Sequence, residues 1–279
     1  MPRTELLIID PQNDFCDQPD AALPVPGAMA DLGRLAQLIE QYGSALEGIT
    51  VTLDSHHLYD IAHPAYWQDA HGHAPAPFTG ITLQDIDHGH WRPRRTDKLA
   101  YVRDYLAAVP LLIWPPHCLV GTWGHGIPDV LRAALDAYEQ TTLTPVNYQF
   151  KGLIRIPNIF SAYEADLPLA DDVQTQFNPA QTQRLRAADV ILVGGEALSH
   201  CVASSVRTLV KHLGPDFARK LVLLTDCASP VTGFEAQGQI FFCRTWPRWA
   251  QGCAAAPSGW PRSTSKTGAN KQHGMCLFF

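Results

Sequence analysis

The chain has 279 residues, 46% of them hydrophobic, and a formal net charge of −6. That length and apolar content suit a full core in one large or two small domains. Charges of both signs are spread along the chain, which leaves no basic patch for nucleic acid, and no apolar run is long enough to span a bilayer. Met-Pro-Arg-Thr leads directly into a strand, so no signal peptide is expected. Seven irregularly spaced cysteines point to thiols in a reducing, cytoplasmic setting rather than to a disulfide framework.

Strand and helix patterns alternate in chain order. Glu5–Ile9 reads as a strand that runs into Asp10, and 28–42 as an amphipathic helix with Leu32, Leu35, Leu38 and Ile39 on one face. Gly48–Leu53 is a second strand ending on Asp54. Residues 55–110 are rich in His, Pro and Gly with little periodicity, and a connection of that length reads as a lid or insertion. A helix over 128–140 and a strand over 143–150 lead to Lys151. A helix over 179–188, the β-branched strand Val190–Val193, a helix over 200–213 and a strand at Leu221–Leu224 complete the pattern. Repeated β-α-β units predict an α/β fold, a parallel sheet covered by helices on both faces.

Asp10, Asp54, Lys151 and Cys201 all fall at or just after the C-terminal ends of predicted strands, the edge where open α/β sheets bind ligands. Cys201 lies where Gly194-Gly195 ends a strand and Val202, Val206, Leu209 and Val210 begin a helical pattern. A helix N-terminus favours a thiolate and an adjacent oxyanion; a buried cysteine packing the turn is the plainer alternative. Asp10 reads either as a turn cap before Pro11 or as a base for the thiol, kept ionised by Lys151. Asp54-Ser-His56 offers an oxygen and a nitrogen ligand, and the rigid Trp-Pro-Pro turn presents His117 as a third, with His57 and His63 as rivals. Two imidazoles and a carboxylate suit a divalent Zn, Fe or Mn. Phe15, Tyr66, Trp67 and Trp114 are candidate neighbours for a substrate ring, with core or lid packing as the alternative.

These pieces together resemble the isochorismatase-like cysteine hydrolases, in particular their nicotinamidase-related branch. The matching segments are Leu7-Ile-Ile-Asp-Pro-Gln-Asn-Asp-Phe15, Leu53-Asp-Ser-His56, Ile113-Trp-Pro-Pro-His-Cys118, Phe150-Lys-Gly152, Gly194-Gly-Glu-Ala-Leu-Ser-His-Cys201 and Leu224-Thr-Asp-Cys-Ala-Ser-Pro-Val-Thr-Gly-Phe234. They occur in the family's order over residues 5 to about 236. The resemblance implies an Asp10–Lys151–Cys201 triad, metal ligands Asp54, His56 and His117, and a cis peptide before Ala197. It also implies that the amides of Ala197 and Cys201 form the oxyanion hole, on a six-stranded parallel sheet. The expected reaction is metal-assisted hydrolysis of a small, nicotinamide-like amide to acid and ammonia through a thioester, in a homo-oligomer. An isochorismatase-type hydrolysis and a non-catalytic role are the alternatives.

Three departures stand out. Leu198-Ser-His200 replaces the Thr-Asp-Tyr that many family members place before the cysteine, and His200 is expected to pack outward from its helix start. The segment His71–Trp91 is longer than a minimal nicotinamidase carries. The hydrolase domain is expected over 1–238, followed by an atypical 239–279 tail in which three of the seven Trp fall between Trp246 and Trp260. Back-translated and read in a shifted frame, residues 242–249 permit an amphipathic helix, so a frameshifted tail lacking the family's final helix and strand is one expectation and an irregular, partly disordered tail the other.

Overall fold

A computed structural model describes residues 2–152 and 160–235, with the backbone of Cys276–Leu277. The tail expectation otherwise falls outside the described residues. The first strand, β1 (Thr4–Ile9), is buried along its whole length. Its side chains alternate between two cores, as a strand's period of two requires. Leu6 and Ile8 face α1 (Ala28–Tyr42) and α4 (Asp129–Thr142), and meet Leu32, Leu35, Ile39, Leu131 and Leu135. Leu7 and Ile9 face α5 (Gln183–Ala187) and α6 (Ala203–Ala218), and meet Leu185, Val206 and Leu209. The buried residues of α1 recur at the spacing of one helix face, which is why this segment is a helix and where it points.

Strands β2 (Gly48–Asp54), β7 (Asn147–Lys151), β8 (Val190–Gly195) and β9 (Leu221–Leu223) join β1 in one sheet with β10 (Cys276–Leu277), in the order β10-β9-β8-β1-β2-β7. Five of these strands are parallel. The sixth departs from the expected all-parallel sheet: Cys276 and Leu277 pair antiparallel with Leu223 and Val222. An edge strand pairs on one side only, so the crossover geometry that makes inner strands parallel does not fix its direction.

Between β2 and α4 lies the segment expected from sequence as a lid or insertion, and it has its own core. Its regular pieces are two short antiparallel ribbons, β3 (Trp67–Gln68) with β5 (Arg92–Pro93) and β4 (Gly80–Ile81) with β6 (Leu111–Leu112), and the helices α2 (Leu83–Asp87) and α3 (Leu99–Ala108). Ile61, Tyr66, Trp67, Ile81, Val102 and Tyr105 fill this core. A Thr82–Asp85 capping box starts α2. Gly195, paired with Ile9 across the β1–β8 seam, holds φ at 106°, and a Cβ there would lie 2.1 Å from the Ile9 carbonyl oxygen. Only glycine satisfies both demands. No helix among the described residues is long and apolar enough to cross a membrane.

Leu35 is wholly buried beneath the sheet. Leu35→Ala is expected to lower the unfolding free energy by about 2–5 kcal/mol. Urea denaturation checks this as a lower midpoint with an unchanged slope.

Candidate active site and metal centre

The parallel strands bring four polar side chains to one edge. Asp10 directly follows β1, Asp54 ends β2, Lys151 ends β7, and Cys201 lies in the wide turn Leu198–Val202 between β8 and α6. The connections lead outward from β1 through β2 on one side and through β8 on the other, so the cluster sits at the topological switch point. Lys151 Nζ lies 2.7 Å from Asp10 Oδ2 and 3.6 Å from Asp54 Oδ2. It donates to Cys201 Sγ at 3.1 Å and to the Phe160 carbonyl at 3.1 Å. The Thr52 hydroxyl donates to Asp10 Oδ1 at 2.6 Å and accepts from the Asp10 amide at 3.1 Å, which supports Asp10 at a left-handed φ of 43°. A donor atom from each of Asp10, Asp54 and Cys201 lies within 4.8 Å of the others.

Burial dominates the electrostatics. It raises the Asp10 carboxyl above its ordinary value, with the Lys151 ammonium acting the other way. Burial alone would lower Lys151, but Asp10 and Asp54 outweigh it and keep the ammonium charged. Burial pushes the Cys201 thiol well up, with Lys151 opposing and the two carboxylates adding to the rise. These shifts favour a protonated thiol beside the Lys151 ammonium.

His56 and His117 converge on Asp54: His56 Nε2 lies 3.1 Å from Oδ1 and His117 Nε2 3.8 Å from Oδ2. His63 joins them, and one ring nitrogen from each of the three histidines lies within 4.8 Å of the others. His57, the other rival, points to solvent. Each Nδ1 of the three is held by an acceptor: Asp60 Oδ2 at 2.9 Å for His56, the Pro115 carbonyl at 2.8 Å for His117 and the His57 carbonyl at 3.2 Å for His63. That pattern orients the rings and turns each Nε2 inward, as the outer partners of metal-ligating histidines do. Nε2 of His63 is buried without a hydrogen-bond partner among the described residues. Three imidazoles and a carboxylate thus fit a divalent cation. Without a cation, burial is outweighed by Asp54 and Asp60 and His56 is held up at about 10, whereas burial and His56 push His117 down to about 3. The Gln12 side chain pairs with the Asp54 backbone, donating to its carbonyl at 2.8 Å and accepting from its amide at 2.7 Å.

A pocket opens between the two groups. Phe15 and Trp114 line it with Asp54, His56, His117, Ala197 and Cys201. Tyr66 and Trp67, proposed from sequence as ring neighbours, are instead buried in the lid core, where Trp67 Nε1 donates to the Ile61 carbonyl at 2.7 Å. The aromatic side chains there complete a core that the short lid elements could not otherwise fill. Leu23, Phe160 and Val231 are walls the sequence reading missed, since none lies in a periodic segment. His200 was expected to face outward but lines the pocket, packed against Trp114, Phe160 and Phe234. The wide turn rotates it inward, and burial lowers it to about 4, a neutral ring. The Glu196–Ala197 peptide is cis, as the resemblance implies. The Ala197 carbonyl accepts from the amides of His200 at 3.0 Å and Val202 at 3.2 Å.

Lys151→Met is expected to destabilise the fold by about 3–5 kcal/mol, because it leaves buried carboxylates without their cation. Combining it with Asp10→Asn should cost less than the sum of the single changes, as read from a double-mutant cycle of chemical denaturation. Additive costs would show that the two groups do not interact.

No family model and no curated protein matches the chain. Solved structures do. The yeast nicotinamidase Pnc1p superposes with a TM-score of 0.60 at 18% identity, over 86% of this chain and 94% of that one. A nicotinamidase/pyrazinamidase of Acinetobacter baumanii gives 0.59 at 20% identity, over 88% and 94%. PnC1 of L. infantum, in complex with nicotinate, gives 0.53 at 19% identity, over 87% and 88%. This chain has the fold of those nicotinamidase structures.

Proposed function

We propose that the protein is a cysteine amidohydrolase that cleaves a small, nicotinamide-like carboxamide to the acid and ammonia. The observation that carries this reading is the buried contact of Lys151 Nζ with both Asp10 and Cys201, at 2.7 and 3.1 Å, with Cys201 lining a pocket walled by Phe15 and Trp114. The fold shared with nicotinamidase structures supports it.

In the proposed reaction the amide carbonyl lies over Cys201 and the ring between Phe15 and Trp114. Asp10 takes the thiol proton as sulfur attacks the carbonyl carbon, and the Lys151 ammonium stabilises the sulfur anion as it forms. The amides of Ala197 and Cys201 receive the oxyanion. Asp10 then gives its proton to the leaving nitrogen, which departs as ammonia and leaves a thioester on Cys201. Asp10 next removes a proton from water, which attacks the thioester and releases the acid and the thiol. A divalent cation held by Asp54, His56, His117 and His63 would supply a Lewis-acid anchor for a heteroaromatic ring nitrogen.

Purified protein is expected to release ammonia from nicotinamide, and Cys201→Ala to reduce the rate by on the order of 10⁴-fold or more. Turnover that survives this substitution would sink the thiol mechanism, and an inactive, metal-loaded wild type would reject nicotinamide as substrate. For the metal centre, Asp60→Asn is expected to weaken divalent-metal binding by about 10–100-fold. Chelator competition on folded protein measures this, and an unchanged affinity would remove Asp60 from the centre.

A further inference from the structure

Behind the pocket lies a second pair of carboxyl groups that the proposed reaction does not use. Glu196 follows β8 and is fully buried, and Asp31, in the first turn of α1, is 3% exposed. The two carboxyl groups converge on one residue, Ser229, whose amide donates to Glu196 at 3.2 Å and whose hydroxyl donates to Asp31 at 2.6 Å. Two carboxyl groups brought together in a dry interior bond to each other only with a proton between them. Glu196 Oε1 faces no N–H or O–H donor among the described residues. Its other oxygen accepts from the Ser229 amide at 3.2 Å. Asp31 is better supplied, with the Ser229 hydroxyl at 2.6 Å and the Arg34 guanidinium in contact. The proton therefore belongs on Glu196, which donates to the Asp31 carboxylate.

This pair grips both sides of the catalytic loop. Ser229 contacts both carboxyl groups, and its carbonyl accepts from the Leu198 amide at 2.9 Å. Two residues on, the Val231 amide donates to Ser199 Oγ at 3.0 Å, and Val231 is a wall of the pocket. The Glu196 amide is tied to the Ile9 carbonyl at 2.7 Å.

We propose that Glu196 and Asp31 share one proton, and that this proton clamps the loop carrying Ala197 and Cys201 to the 227–231 strap, making Glu196 a positioning residue. The catalytic part of the inference rests on the amidase reading above; the shared proton and the clamp do not. Several other groups face the pair. Arg34 does so from α1, Cys16 and Asp17 from the segment before it, and Cys227 from the strap. Burial first and then the Asp31 charge hold the Glu196 carboxyl well above its ordinary value. A carboxyl raised on folding contributes stability at acidic pH that is lost as pH rises toward its folded value.

The test compares wild type with Glu196→Gln, which keeps the shape and is neutral at every pH. Above the ordinary Glu range, the unfolding constant of wild type should grow about tenfold per pH unit relative to the Gln variant, until Glu196 ionises in the folded protein. At alkaline pH, hydrogen exchange in 196–201 and 227–231 should be faster in wild type than in the variant. Parallel pH profiles of unfolding would overturn the shared proton, and equal exchange in those segments at alkaline pH would overturn the clamp. For the catalytic role, Glu196→Leu should lower kcat on the order of 10²-fold with KM nearly unchanged, as loss of an oriented oxyanion donor does. Glu196→Gln should recover that kcat and lack the wild type's alkaline decline; equal losses in the two variants would overturn the positioning role. A wild type with no amide turnover would remove the proposed function while leaving the unfolding and exchange comparisons decisive.

Discussion

A lysine ammonium in a dry interior is tolerable only when anions surround it, and Lys151 imposes that condition on the whole site. Its partners come from separate strands: Asp10 from β1, Asp54 from β2, and Cys201 from beyond β8. The attraction among them is strong because water is excluded, and the same exclusion makes any one of them costly alone. The cluster therefore has to be satisfied as a unit. The sheet makes that possible by ending parallel strands at one level, and Thr52 completes it by holding the second oxygen of Asp10.

The two halves of the site use burial in different ways. Around Cys201, burial raises the thiol and favours its protonated form, against the pull of the Lys151 ammonium. Around Asp54, the imidazoles are fixed through their outer nitrogens, so their inner nitrogens converge on one point, and His56 would give up a proton to a bound cation. Asp54 belongs to both halves: it lies 3.6 Å from the Lys151 ammonium and 3.1 Å from His56. A cation bound at the candidate metal centre would thereby be coupled to the charge at the proposed nucleophile through one carboxylate.

Much of this was legible in the amino-acid sequence because it depends on local pattern. The β-branched strands and the α1 stripe announce themselves, and polar residues at strand ends converge once the strands are known to be parallel. What was not legible depends on tertiary packing. Tyr66 and Trp67 look like ring-binding aromatics until the lid core is seen to need them. Helix α2 has five residues, too few to show a helical period. His200 turns inward because the turn before α6 is wider than an α-helix, and no spacing rule encodes that. Leu23 and Val231 reach the pocket from loops, and the direction of β10 is free because it lies at an edge.

The bare backbone at Gly195 reaches further than its own turn. With no side chain at 195 and the Ile9 carbonyl at the distance a Cβ would need, β8 and β1 meet there main chain to main chain. Asp10 is the next residue along one of these strands, and the Cys201 turn grows out of the other. The starting points of the segments that carry the proposed base and nucleophile are thus set by the sheet itself, at the roughly 4.8 Å spacing of neighbouring strands. Drift in the surrounding side chains can reshape the pocket walls, while the strand ends that carry Asp10 and the Cys201 turn stay fixed by hydrogen-bond geometry. The shape of the pocket and the placement of the polar cluster are consequently free to change on separate schedules.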